Sequence, residues 1–175
     1  MPALLAILGI LSAAAYLIIH TRNASNAAGD LLEVANDVRL AARRFGFRRN
    51  SNLHPVESIE DENTAIAALG VSFLELDTLP AREHQSALGR GLQNELRVSL
   101  SDSEELMVLG RWLMTECKGP ETAVARLAKR LAKIGDEQSF TRLMGVIKEV
   151  SSVSGGLSDK QQTALSDIKR AFRIN

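Results

Sequence analysis

Apolar positions recur at three- and four-residue intervals over the last two thirds of the chain, the spacing of one helix face. Ile66, Leu69, Phe73 and Leu76 mark a first stripe, and Leu88, Leu92 and Leu96 a second, with Pro80 suited to the first turn of that helix. Ser101 and Glu104 have capping-box spacing ahead of Leu106, Leu109, Leu113 and either Cys117 or Trp112. Pro120 opens a helix striped by Val124, Leu127, Leu131 and Ile134, and Asp136 caps one carrying Phe140, Leu143, Ile147 and Val150. Ser158 and Gln161 form a second capping-box pair before Leu165, Ile168 and Phe172. Each stripe needs another helix to cover it, and no heptad run persists. The pattern predicts an all-α chain whose folded part, residues 65–175, is a compact bundle of about six short helices.

Upstream, the pattern changes twice. Leu31, Val34, Val38, Ala41, Ala42 and Phe45 keep helical spacing, which predicts an amphipathic helix over 28–47 within a basic segment, 20–49. Residues 50–64 break that spacing with a proline and with Glu57, Glu60, Asp61 and Glu62 but no Lys or Arg, and read as an acidic linker or long loop. Residues 1–19 carry no charged side chain, and a helix of that length spans a bilayer core. Tyr16, His20 and Arg22 suit its interfacial boundary. No basic residue precedes the run, which favours an uncleaved anchor; the alternative is a cleaved signal peptide, for which the small residues of "SAAA" and "SNAAG" offer cleavage sites. Arg22, Arg39, Arg43, Arg44, Arg48 and Arg49 follow it, so the expected topology is a single pass with the N-terminus out and the C-terminal domain cytoplasmic, in a bacterial inner membrane.

Composition narrows the function classes. Of the 175 residues 45% are apolar, enough for a core, while aromatics at 4% favour helix over strand. The formal net charge of zero excludes a uniformly basic nucleic-acid binder. The single cysteine, Cys117, excludes an internal disulfide, and its helical neighbours make it a buried thiol. His20, His54 and His84 sit in no metal or nucleophile motif, and there is no phosphate loop. Neither a catalytic residue nor a cofactor is expected.

The charge pattern supplies binding candidates instead. "RRFGFRR" interleaves Arg43, Arg44, Arg48 and Arg49 with two phenylalanines. It reads either as a contact to an anionic leaflet or as a solvated helix end that sets topology. Arg126, Lys129, Arg130 and Lys133 fall at i, i+3, i+4 and i+7 in "RLAKRLAK". That is an ordinary solvated face, or a docking face for an acidic partner or the inner leaflet. Trp112 reads as core, and Gly110, a poor helix residue, suits a close helix approach.

Two short loops carry a resemblance. "SGGLSDKQ" (Ser154–Gln161) and "LDTLPARE" (Leu76–Glu83) follow the frame Asp-Gly-x-apolar-x-x-x-Glu, and the segment from Ala65 to Asn175 resembles the tellurite-resistance TerB-like domain, an all-helical fold with two related halves. The resemblance implies divalent-metal binding through loop acids, but Ser154 and Gln161 stand where the second loop would carry Asp and Glu, and Leu76 replaces the first Asp. Glu75, Asp77 and Glu83 are the acids left to regroup, too few charges for a hard cation that takes six to eight oxygens. The expected function is a membrane-anchored, cytoplasmic interaction or scaffold module without metal, in a stress setting that the resemblance alone implies, held to the bilayer by residues 1–19 and meeting a protein partner rather than nucleic acid. The alternatives are a divalent-metal sensor using those three acids and a hydrolase with unrecognised carboxylates.

Overall fold

The computed structural model describes residues 36–47, 53–77, 80–153 and 155–174. The predicted bilayer segment, residues 1–19, and Arg48 and Arg49 lie outside them. Among the described residues there are helices and no strands, and no helix is long and apolar enough to cross a membrane. The folded unit runs from Val38 to Asn175, and of the unit Met1–Asp37 only residues 36 and 37 are described. Helix α1 covers residues 36–44, and a single 3-10 turn, Pro55–Ser58, follows. The bundle then comprises α2 (Glu62–Leu74), α3 (Arg82–Leu96), α4 (Leu100–Glu116), α5 (Pro120–Ile134), α6 (Glu137–Val153) and α7 (Asp159–Ala171).

Helix α2 is the centre. Every residue from Thr64 to Leu74 is buried, so the stripe read from Ile66, Leu69 and Phe73 is only part of an all-round apolar surface. Helices α3, α4, α5 and α6 all pack on it, and α7 completes the bundle against α5. Small residues allow the closest crossing. A Cβ built on Gly110 of α4 would lie 3.0 Å from the Ala68 Cα of α2, so the two backbones meet where glycine and alanine coincide. Cys117 is buried at the end of α4, and Trp112 stands half-buried with its ring edge-on to Phe47 at 5.7 Å between centroids.

Helix starts follow local chemistry, with two corrections to the expected register. The α4 capping box is Ser99 with Asp102, not Ser101 with Glu104: the Ser99 hydroxyl accepts from the Asp102 N–H, and the Asp102 carboxylate accepts from the Ser99 N–H at 3.2 Å. Both frames have the same spacing, but only the earlier one presents Asp102 to Arg44 at 2.5 Å. Pro80 lies before the α3 N-cap, Ala81, rather than in the first turn. Pro120 at the start of α5 and the Ser158–Gln161 capping box of α7 stand as the pattern predicts. Asp136 accepts from the Ser139 N–H at 3.0 Å at the head of α6.

The largest departure is the acidic stretch. Residues 53–61 do not form a solvated linker: Val56 is 0% exposed and Ile59 1% exposed, both within the core. His54 uses both ring nitrogens here, Nδ1 accepting from the Val56 N–H and Nε2 donating to the Glu116 carbonyl at 3.2 Å. Arg130 donates from Nε and a terminal nitrogen to the Ile59 carbonyl, at 2.7 and 2.5 Å. Two of the four acids are occupied as well, while Glu57 and Glu60 are exposed. Asp61 caps α2 through the Thr64 N–H, and Glu62 binds Arg142 and the Ser139 hydroxyl. Val38, Ala41, Ala42, Phe45 and Phe47 join the same core, so the folded domain begins well before residue 65.

Two expected outcomes test this packing. Gly110→Val destabilises by about 2–3 kcal/mol through overpacking against Ala68, whereas Gly89→Ala in α3, whose Cβ would meet nothing closer than Met107 Sδ at 3.8 Å, gains about 0.5–1 kcal/mol. Thermal unfolding of the two variants checks both signs. The pH dependence follows from two caps. The Asp102 carboxyl is held below the usual range chiefly by the Ser99 hydroxyl, and the Asp136 carboxyl chiefly by the Ser139 backbone N–H. A carboxyl with a lowered folded pKa stabilises above its unfolded value, about 3.9, and that contribution is lost as pH falls through the folded value. Acid titration of the unfolding midpoint therefore shows a fall below about pH 4, and Asp136→Asn flattens part of it.

Candidate functional site

The two loops that carry the resemblance line one groove of about 520 Å³, formed between the end of α2, the start of α3 and the α6–α7 turn. The α6–α7 turn depends on its two glycines: Gly155 at φ 69° and Gly156 at φ 138° take backbone that disfavours side chains. Asp77, His84, Ser158 and Gln161 line the groove with Pro80 and Leu157. The three candidate acids are not brought together there. Glu75 is held by Arg111 Nε at 3.0 Å, Asp77 is exposed on the groove wall, and Glu83 faces solvent in the first turn of α3 without lining the groove. Among the described residues no three His, Cys, Asp or Glu side chains lie close enough together to hold a metal ion.

What closes the groove floor is a carboxamide. Gln161 is buried, accepting from the Ser158 N–H at 3.2 Å through Oε1 and donating from Nε2 to the Phe73 carbonyl at 3.4 Å. Beside it, Lys160 Nζ donates to the Leu76 carbonyl at 3.4 Å and pairs with Glu121 at 3.0 Å. The first turn of α7 thus satisfies carbonyls at the end of α2, which a helix terminus leaves unpaired. A donor is required at position 161, and an amide supplies one where a carboxylate has none. This accounts physically for glutamine in a frame whose resemblance implies an acid.

The basic candidates divide into those the fold consumes and those it leaves free. Arg44 bridges Asp102 and Glu105, at 2.5 and 2.6 Å, and Arg130 is committed to Ile59. Arg43 is exposed and Arg126 half-buried. Lys129 and Lys133 are exposed on the wall of a second, wider groove of about 780 Å³ where the C-terminal ends of α5 and α7 meet. Arg173 joins them there at φ 58°, a left-handed residue that ends α7. The sequence reading missed Arg173, because nothing local links it to "RLAKRLAK"; only the packing of α7 on α5 does. Ala132, Phe172 and Ile174 supply apolar lining, and Phe172 is braced by Phe140 at 5.2 Å between ring centroids. Burial pushes the Cys117 thiol up, which keeps it protonated rather than nucleophilic.

Comparison with protein families, with curated proteins and with solved structures finds no match to any of them. The site therefore rests on its own geometry.

Gln161→Glu tests the groove floor. At neutral pH an ionised carboxylate faces the Phe73 carbonyl without a proton to donate, and stability falls by about 1–3 kcal/mol. Its folded pKa lies above its unfolded value, so the loss is absent in acid, where the carboxyl is protonated, and develops as pH rises. Chemical denaturation at acidic and neutral pH measures the difference.

Proposed function

We infer that this protein is a membrane-anchored, all-helical interaction module of the bacterial inner membrane, with residues 1–19 in the bilayer and the bundle on the cytoplasmic side. The reading rests on one observation. Among the exposed residues of α1 are Arg39, Leu40 and Arg43, with Leu40 53% exposed between the two arginines. An apolar side chain flanked by free cations suits a lipid headgroup region, and it follows an uncharged run of bilayer length in the sequence. Asp37 is also exposed at the start of this face, which leaves it modestly cationic.

The TerB-like resemblance is compatible with this role. The carboxylates that a metal-sensing or hydrolytic reading needs are apart, with Glu75 occupied by Arg111. The free cations at the ends of α5 and α7 favour recruitment of an acidic surface. The expected outcome is that the full chain resists alkaline carbonate extraction from bacterial membranes and that deletion of residues 2–19 releases it. A C-terminal alkaline phosphatase fusion, active only outside the cytoplasm, stays dark. Carbonate release of the full chain, or an active fusion, overturns the corresponding half of the reading.

A further inference from the structure

The groove at the ends of α5 and α7 has a complementary surface on the same molecule. Leu100, at the first turn of α4, is 61% exposed, the highest value among the exposed large apolar residues described. It lies in an acidic turn with Ser101 and Glu104 exposed, while Asp102 and Glu105 are engaged by Arg44. The groove presents the opposite pattern: exposed Lys129, Lys133 and Arg173 around the apolar Ala132, Phe172 and Ile174. No ion pair is formed by those three cations among the described residues. Its acids are Asp136, which is occupied as a helix cap, and the exposed Glu137.

We propose that a second copy of this chain docks here, its Leu100 side chain entering the groove of the first copy and its Glu104 facing Lys129 and Lys133. The other acidic stretch of the chain fits the role less well: Val56 and Ile59, the apolar residues next to its acids, are buried in its own core, and its exposed Leu53 has no acid within three positions. A concave groove with an apolar lining also favours a protruding side chain over a flat lipid surface, which reaches the rim cations but not Phe172. The two surfaces differ, so the contact is head-to-tail and propagates into an open row rather than closing as a symmetric dimer. One helical turn in a groove is less area than a stable complex needs. The association is therefore weak in dilute solution and depends on confinement, which an anchored chain supplies through raised effective concentration. To that extent the inference rests on the membrane reading above.

Disulfide trapping tests it with the full chain in phosphatidylcholine vesicles. One preparation carries Ser101→Cys and a second carries Ala132→Cys; the native Cys117 is buried and does not compete. Mixed and mildly oxidised, the two are expected to cross-link to each other at least fivefold more than either does to itself. Lys129→Glu with Lys133→Glu in the second preparation reduces the mixed product to background, and Glu104→Lys in the first restores it. Unfolding midpoints confirm that each variant is folded. Mixed product no higher than the self-linked products, or one that is indifferent to charge reversal, overturns the proposal. So does an occupant of another kind: absent cross-links together with protection of the groove lysines from amine labelling once phosphatidylglycerol is added identify an anionic lipid surface instead. Vesicle flotation scored on the same samples separates the two readings. Chain that floats without the mixed cross-link overturns the contact alone. Chain that does not float overturns the anchor, while mixed cross-links formed off the vesicles still support the contact.

Discussion

The fold depends on the complete burial of α2. A helix with no solvent face places its neighbours under one constraint: every side must be covered at once. Alanines and Gly70 along "AIAALGVSFL" let the surrounding helices come close, while Ile66, Leu69 and Phe73 fill the spaces between them. Its polar atoms are settled locally, with the Ser72 hydroxyl donating to the Ala68 carbonyl at 2.7 Å and Asp61 capping the first turn. What remains for the other helices is one apolar face each, which is the pattern their sequences show.

Arginine and lysine then do two kinds of work. Arg44, Arg111, Arg130, Arg142 and Lys160 each tie segments that are distant in sequence, and the Arg130 contact goes to a main-chain carbonyl rather than to an acid. Exposed ion pairs contribute at most about 1 kcal/mol each, so these links serve mainly to fix register between elements whose burial supplies the energy. Three of the cations left unpaired among the described residues, Lys129, Lys133 and Arg173, lie together because α5 and α7 finish side by side there. A net charge of zero thus conceals an uneven distribution.

Much of the architecture was legible in periodicity alone. The α4 to α7 stripes, the proline at the head of α5 and the Ser158–Gln161 box are local signals, and local signals survive folding. The failures share a cause. Val56 and Ile59 sit in a segment too short and too acidic to show a period, so their burial is decided by partners elsewhere in the chain, Arg130 on the Ile59 carbonyl and the Glu116 carbonyl on His54. The role of Gln161 is likewise set by a carbonyl 88 positions away. Of the basic candidates, sequence spacing grouped Arg130 with Lys129 and Lys133, yet the fold turns the first inward and leaves the other two in solvent. The separation of Glu75, Asp77 and Glu83, near neighbours in sequence, is another tertiary outcome: a helix end, a loop and a new helix send them in different directions.

The Arg130 clamp on Ile59 has a mechanical consequence. Residues 53–61 connect everything upstream to the bundle, and they are held by two guanidinium hydrogen bonds, the His54 bridge to Glu116 and the seating of Val56 and Ile59. Tension applied along the chain from its N-terminal side reaches α2 only after passing this short buried strap and the Arg44 bridge to α4. The strap is thus the last tie that such a pull meets, after the packing of α1, before the central helix feels the load.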